Sequence, residues 1–414
     1  MKNPEDLGAS LRPTARTQEA PQPQFFDVSQ TEDRKQLSVL LQENPHLSII
    51  DTYETQIKEL FVLQNPWLNL NKPKLEQEFP AYRDAHFAGR EPWEVGVWVY
   101  LSWRDVLLHL LPDADFQHVR TARNRNLIPP EEQETYYNST IGIAGLSVGN
   151  SCALALVLMG GGKRLRLADH DTLELTNLNR IRGSIADLTR PKVFMTAQQI
   201  YELDPYADLA LYPEGLTEDN IEKFFDGPAA LDVVIDEIDN LGMKLRIREE
   251  AAKRRIPVVM ATDNGDSGLI DVEHYDLDPN TKPFHGRLPE GIIARIRAGE
   301  KIPLPIVGAT IGEHLVGWNI VEPRMQRSLL EIGKTIPTWP QLGGAAVLNG
   351  VAVAVVVRKI LTGEPVIDGR AVLSLASALI PGYDSPGEAD ARRKATEEFV
   401  RTYRALLSQF AGKQ

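Results

Sequence analysis

Short apolar runs alternate with amphipathic stretches between residues 140 and 275. Four runs have the length and the continuous apolar character of buried strands: residues 141–144, 165–168, 232–235 and 257–260. The stretches 151–159, 192–203 and 244–254 carry apolar residues at helical spacing. This alternation predicts an α/β fold with a Rossmann-like, doubly wound, mostly parallel sheet. The carboxyl ends of its strands and the loops after them then lie along one edge.

The pattern changes on both sides of this region. Residues 1–28 are rich in Pro, Gln, Thr and charge, and are predicted to be a flexible arm. Residues 29–118 are predicted to form an N-terminal α-rich module. It contains a helix after a capping box at Asp51 and Glu54, a strand at 95–101 and an apolar helix at 103–111.

The sheet domain is predicted to cover residues 119–275, and residues 276–365 are its C-terminal part. A C-terminal tail, residues 366–414, carries a last helix at 388–409. The apolar stretch 345–361 is shorter than the ~20 residues that a bilayer requires. It is therefore predicted to be a buried helix, and no membrane partner is expected.

Composition narrows the classes of function. The 414 residues have a net charge of −12, which disfavours nucleic acid as the main partner. The single cysteine, Cys152, allows no internal disulfide and no Cys-x-x-Cys zinc site. Because the first residues also lack the apolar core of a signal peptide, we expect a cytoplasmic protein without zinc.

The first strand leads into a turn with small residues, Gly145, Ser147 and Gly149. Such a turn lets backbone N–H groups and a helix N-terminus approach a phosphate, although a purely structural turn explains it equally well. Asp169 ends the second strand, where a carboxylate can accept hydrogen bonds from ribose hydroxyls of NAD or ATP. Asp171 either adds metal affinity or caps the next turn.

Three polar side chains after Asp169 favour ATP over NAD. Asn177, Arg180 and Lys192 are suited to neutralise the charge that builds up on a leaving pyrophosphate, which a dinucleotide site does not require. Asp239 follows the next strand and is a candidate Mg²⁺ ligand. A helix N-cap is an alternative role for this segment, with Asp236 in the cap-like position.

These residues carry a resemblance to a known family. Residues 119 to 275 resemble the ThiF-type adenylyltransferases of the ubiquitin-activating-enzyme superfamily. The matching pieces are Arg123-Asn124-Arg125-Asn126, the Gly145 turn, Asp169-x-Asp171, Thr176-Asn177-Leu178-Asn179-Arg180, Pro191-Lys192 and Ile235-Asp236-Glu237-Ile238-Asp239-Asn240.

The resemblance implies that a carboxylate attacks the α-phosphate of ATP, giving an acyl-adenylate and pyrophosphate. It places Asp169 on the ribose, Asp239 on Mg²⁺, and Asn177, Arg180 and Lys192 on the phosphates. Gly145, Ser147, Gly149, Asp171 and Asn240 complete the implied nucleotide site. Family members are commonly homodimers, in which an arginine at the Arg125 position reaches the neighbouring subunit's site. The implied catalytic set is therefore Arg180, Lys192, Asp239 and Arg125.

The chain departs from many members because it lacks their zinc-binding cysteines and catalytic cysteine. Cys152 lies in a predicted apolar helix, where a thiol is inert, so a thioester within this chain is not expected. The implied substrate is the C-terminus of a ubiquitin-like or sulfur-carrier protein, or a small, peptide or tRNA-borne carboxylate. The last case follows a similarity to tRNA threonylcarbamoyladenosine dehydratases. A non-catalytic nucleotide-binding scaffold and, least favoured, an NAD-dependent oxidoreductase are the other classes.

Overall fold

Two β-sheets organise the protein in the computed structural model, which describes residue 11 and residues 19–411. The helices are α1 (Thr31–Glu43), α2 (Tyr53–Gln64), α3 (Lys72–Phe87), α4 (Asp113–Arg120), α5 (Pro130–Asn138), α6 (Val148–Leu158), α7 (Lys192–Tyr201), α8 (Ile221–Asp226), α9 (Leu241–Arg254), α10 (Glu290–Arg297), α11 (Leu304–Thr310), α12 (Pro323–Leu329), α13 (Gly343–Leu361), α14 (Leu375–Leu379) and α15 (Pro386–Ala411). The strands are β1 (Gln24–Phe26), β2 (Ser48–Asp51), β3 (Val97–Leu101), β4 (Val106–Leu110), β5 (Thr140–Ala144), β6 (Arg164–Ala168), β7 (Asp208–Tyr212), β8 (Val233–Asp236), β9 (Val258–Asn264), β10 (Ser267–Glu273) and β11 (Gly369–Ser374).

The larger sheet has seven strands in the order β11-β10-β9-β8-β5-β6-β7. The five strands from β9 to β7 are parallel, and β10 and β11 extend the sheet with antiparallel pairs. Helices α6, α7 and α13 pack on one face, while α8 and α9 pack on the other. These observations confirm the predicted Rossmann-like, doubly wound, mostly parallel sheet.

The order of the strands places a crevice at the carboxyl end of β5. The chain runs from β5 to β6 and β7 on one side, and β8 then pairs with β5 on its other side. Ala144 pairs with both Ala168 and Asp236, so three strands end side by side. A ligand binds at such a reversal of strand order because the loops leave in opposite directions and open a gap.

The N-terminal module combines helices with a four-stranded sheet in the order β1-β3-β4-β2. The predicted helix at 103–111 is wrong, because Val106–Leu110 forms strand β4. Its burial alternates, with Leu107 and His109 inside, and it pairs with β3 along its whole length. The predicted capping box is also wrong: Asp51 ends β2, and α2 begins at Tyr53, whose backbone N–H donates to Asp51 Oδ1 at 3.0 Å.

Two predicted terminal boundaries need correction. Most of the predicted arm, residues 1–10 and 12–18, lies outside the described residues. Gln24–Phe26, however, is strand β1, because Phe26 packs into the module's core and the strand pairs with β3. At the other end, the predicted tail 366–414 includes β11, which pairs with β10 and so belongs to the main sheet.

Helix α13 is the one helix in residues 19–411 that is long and apolar enough to cross a membrane. It packs instead as a core helix, as predicted, with Ala346, Val353 and Val357 against α6 and the sheet. Gly350 permits the close approach, since a side chain there would clash with Ser151 of α6.

Candidate functional site

The loop after β5 forms a tight turn that a carboxylate from the next strand holds in place. Gly145 has φ of 88°, and a Cβ atom there would collide with the backbone carbonyl of Glu237. The Leu146 backbone N–H donates to Asp169 Oδ2 at 2.6 Å, and the Asp171 N–H donates to Asp169 Oδ1 at 2.8 Å. Burial raises the pKa of Asp169, and the charge of Lys192 opposes that shift.

Arg180 lies against this turn. Its Nε donates to Ser147 Oγ at 3.2 Å, and its Nη1 donates to the Thr176 carbonyl at 3.2 Å and to Asn179 Oδ1 at 2.9 Å. All three acceptors are uncharged, and within residues 19–411 Arg180 has no ion-pair partner. Burial lowers the pKa of Arg180, although Asp263 and Asp239 counteract it at longer range. The guanidinium therefore remains available to an anion.

Lys192 is the first residue of α7 and is buried at the same edge. Its Nζ contacts Asp171 Oδ2 at 2.8 Å. Burial would raise the pKa of Asp171, but the hydrogen bond and the charge of Lys192 outweigh it, and the pKa is lowered. Sequence reasoning did not identify this ion pair. Since an ammonium group has three donors, Lys192 can bind a phosphate while it keeps Asp171.

Asn177, which was predicted to contact phosphate, also stabilises its own turn. It is buried, and its Oδ1 accepts a hydrogen bond from the Glu174 backbone N–H at 3.0 Å. Gly149 lies in the first turn of α6 and faces the β5 side chain of Ile143.

Asp236, the last residue of β8, has different surroundings from Asp239 and Asn240 in the loop that follows. Asp236 is fully buried and pairs with Arg248 at 2.5 Å and Lys244 at 3.2 Å. Asn240 is the N-cap of α9, with Oδ1 accepting from the Met243 N–H at 2.9 Å. The predicted cap-like role of Asp236 is therefore wrong. Asp239 is exposed, and its carboxylate has no partner among the described residues.

A magnesium ion that arrives with a nucleotide fits this donor set. Within the described part of the chain, no group of three or more His, Cys, Asp or Glu side chains is placed to hold a metal ion. Mg²⁺ commonly needs only one or two carboxylates, because phosphate oxygens and water supply its other ligands. The unpaired Asp239 is such a carboxylate.

The structure does not bring Arg125 to this edge. Arg125 lines a cavity of about 480 Å³ at the opposite end of α6, together with Asp113, Tyr137 and Lys163. Helix α6 is about 16 Å long at 1.5 Å per residue, and the glycine turn lies at its other end. The Arg125 side chain is exposed, with no hydrogen bond or ion pair to residues 19–411. It is therefore too far away to serve the site of its own chain.

Other residues complete the edge. Glu237 lies behind the glycine turn, and its Oε1 accepts from the Ala261 N–H at 2.8 Å. Burial raises the pKa of Glu237 well above its usual range. Asp263 is buried and accepts from Asn349 Nδ2 at 2.7 Å and Gln341 Nε2 at 3.3 Å. Sequence reasoning missed Gln341 and Asn349; the only local signal was the Pro- and Gly-containing segment before α13.

Known proteins are similar to this chain over the region that contains the site. Residues 121–292 match the profile of the ThiF family. A tRNA threonylcarbamoyladenosine dehydratase of Bacillus subtilis is 32% identical over 180 residues, which are 41% of this chain and 70% of that protein.

The chain belongs to the ThiF family.

Two further relatives extend the ThiF comparison. A sulfur carrier protein ThiS adenylyltransferase of Escherichia coli is 30% identical over 162 residues, covering 39% of this chain and 63% of that protein. An uncharacterised protein of Mycobacterium tuberculosis is 36% identical over 285 residues, covering 68% of this chain. The chain spans only 38% of the length of that mycobacterial relative.

Proposed function

We propose that this ThiF-family protein uses ATP to adenylate a carboxylate, giving an acyl-adenylate and pyrophosphate. One observation carries the proposal: Arg180, Lys192 and the glycine turn meet at one sheet edge, where Arg180 has no ion-pair partner in residues 19–411. Two cations beside the N-terminal turn of α6 suit a triphosphate better than a dinucleotide.

Each residue has a role in the proposed reaction. The substrate carboxylate attacks the α-phosphate, and the bond to the leaving pyrophosphate breaks. Arg180 and Lys192 neutralise the charge that grows on the leaving group, and Asn177 orients the phosphates. Asp169 accepts from the ribose with its remaining lone pairs. Asp239 would hold Mg²⁺, which shields the phosphate charges when it is bound.

The remaining members of the predicted set shape the nucleotide site. Gly145, Ser147 and Gly149 let the nucleotide approach the first turn of α6. Asp171 holds Lys192, and Asn240 fixes the start of α9 beside Asp239. Each of these contacts limits side-chain or backbone freedom around the phosphates.

We propose a homodimer in which Arg125 acts in the neighbouring subunit. The support is its position at the far end of α6 and the absence of a partner for its side chain within residues 19–411. In a mixture of Arg125→Ala and Arg180→Ala subunits, a hybrid dimer would have one intact site. Recovery of about a quarter of the activity of the wild type would support action in trans, since half of randomly paired dimers are hybrids. No recovery in proven hybrids would contradict it.

The proposed substrate is a peptide or carrier-protein C-terminus, as the name of the E. coli relative suggests, in a cytoplasmic setting. The net charge of −12 and the fully buried Cys152 support a protein or peptide carboxylate handed on without a thioester to this chain. A tRNA-borne carboxylate is the second candidate, supported by the identity to the B. subtilis dehydratase.

Pyrophosphate exchange into ATP tests the reaction class. The wild type is incubated with Mg²⁺, labelled pyrophosphate and a panel of carboxylates: carrier-protein tails, free peptides, small acids and modified tRNA. Exchange with one of them, lost in Asp239→Ala but kept in Asp266→Ala, would support adenylation. ATP binding without exchange would favour a scaffold, and binding of NAD instead of ATP would contradict the proposal.

A further inference from the structure

A chain of hydrogen bonds leads from Arg180 to a distant part of the sequence. Arg180 Nη1 donates to Asn179 Oδ1 at 2.9 Å, and Asn179 Nδ2 donates to the Gln341 carbonyl at 2.9 Å. Gln341 Nε2 then donates to Asp263 Oδ2 at 3.3 Å, and Asp263 Oδ1 accepts from Asn349 Nδ2 at 2.7 Å. The side-chain oxygen of Asn179 thus accepts from Arg180, and its side-chain nitrogen donates to Gln341 in the segment before α13.

Packing enforces the contact between these two segments. A Cβ atom at Gly343 would collide with the carbonyl of Asn179, so only glycine allows α13 to begin there. Asn349 lies about one and two-thirds turns further along α13, against Gly268 of β10. Asp263 at the end of β9 is therefore fixed from the helix side by Asn349 and from the loop side by Gln341.

We propose that Asp263, Gln341 and Asn179 form a relay that positions the Arg180 guanidinium over the phosphates of ATP. This inference rests on the proposed function. The three are positioning residues, since they act on the nucleotide through Arg180. An arginine held by uncharged acceptors needs such support, because none of its contacts is strong enough to fix it alone.

The neighbouring residue provides a matched control. Asn264 is also buried, donates to the Ile320 carbonyl and accepts from the Glu322 N–H at 3.1 Å. It therefore joins the same hairpin to the C-terminal part of the chain, but its bonds do not lead to Arg180. A purely structural role for Asp263 predicts that both positions behave alike.

The test compares ATP and AMP binding to the full chain by isothermal titration calorimetry with Mg²⁺. AMP lacks the β- and γ-phosphates, so it measures the rest of the site. We expect Asp263→Asn and Gln341→Ala to weaken ATP binding about tenfold, the scale of one charged hydrogen bond, and AMP binding less than about twofold. Asn264→Ala should weaken both nucleotides equally or neither.

A double variant makes the test specific to Arg180. If the relay acts through the guanidinium, Arg180→Ala with Gln341→Ala should bind ATP no more weakly than Arg180→Ala alone. Additive losses would overturn the relay, as would equal losses of ATP and AMP in Gln341→Ala, a half-buried position suited to replacement. A wild type that binds AMP but not ATP would overturn the relay together with the proposed function, whereas intact ATP binding in all relay variants would overturn the relay alone.

Discussion

Two groups of charged residues meet at the end of β8, and they differ in how their charges are paired. In the buried ionic cluster, Asp236, Lys244, Arg248 and Glu273, Arg248 bridges both carboxylates and is 0% exposed. At the crevice, only three residues beyond Asp236, Asp239 is unpaired in residues 19–411, and Arg180 contacts uncharged groups. The comparison indicates that charges paired within the protein stabilise the fold, whereas the unpaired charges at the sheet edge are available to bind a ligand.

The largest expected effect is on the buried ionic cluster. Arg248→Ala leaves Glu273 buried without a counter-charge and leaves Asp236 with Lys244 alone, which should lower the free energy of unfolding by about 3–5 kcal/mol. Urea denaturation measures the loss. Arg297→Ala is the control, because its exposed pair with Glu249 should contribute less than about 1 kcal/mol. Equal effects of the two substitutions would mean that the buried ionic cluster stabilises the fold no more than an exposed ion pair does.

At the crevice, activity rather than stability should respond. Arg180→Ala should reduce pyrophosphate exchange about 10²- to 10³-fold, the scale for a lost group that stabilises transition-state charge. Its urea midpoint should stay near that of the wild type, since the guanidinium has no ion pair in the described chain. Arg182→Ala, an exposed arginine on the same loop, is the matched control. A large loss of stability in Arg180→Ala would show that this residue belongs with the buried ionic cluster.

One carboxylate from each region, Asp236 and Asp263, should contribute to the pH dependence of stability with opposite signs. Burial would raise the pKa of Asp236, but Lys244 and Arg248 outweigh it and the pKa is lowered; its stabilisation is complete above about pH 4 and is lost as the pH falls further. Burial raises the pKa of Asp263, so its charged form costs stability above about pH 4, and this cost disappears on acidification.

Urea titrations between about pH 3 and pH 6 separate the contributions of the two carboxylates to the free energy of unfolding. In Asp236→Asn, the free energy of unfolding should fall less than in the wild type as the pH is lowered. In Asp263→Asn, the free energy of unfolding should rise more steeply with pH than in the wild type. The same direction of change in both variants would mean that the two carboxylates have similar partners.

The smallest effect is expected at Cys152. This residue is fully buried in α6, and burial raises the pKa of its thiol well above the usual range. Cys152→Ala should keep pyrophosphate exchange within about twofold of the wild type, because a protonated, inaccessible thiol is no nucleophile. Slow iodoacetamide labelling of the native protein, compared with urea-unfolded protein, checks the burial. A thioester between the substrate acyl group and Cys152, detected by its cleavage with hydroxylamine, would contradict this prediction.

The sequence predicts those features whose residues are close in sequence or uniformly buried. Strand β5 is buried at every position because both faces of the sheet are covered, so it reads as one apolar run. The spacing from Asp169 to Lys192 likewise identified one side of the crevice.

Other features depend on contacts that no local pattern records. Strand β4 contains the apolar run Val106–Leu110, which fits a helix as well as a strand until its pairing with β3 is known. Gln341 and Asn349 reach Asp263 only because α13 returns across the sheet. The pairing of Asp171 with Lys192 requires knowledge of where α7 begins.

The position of β11 in the sequence has a consequence for how the protein is made. β10 ends at Glu273, but its outer neighbour begins only at Gly369. During synthesis, β10 therefore presents unpaired backbone groups while the intervening helices emerge from the ribosome. Exposed strand edges recruit other chains, so this interval is a window for misassembly. The need for chaperones should consequently depend on how fast the C-terminal part of the chain is synthesised, rather than on the stability of the folded sheet.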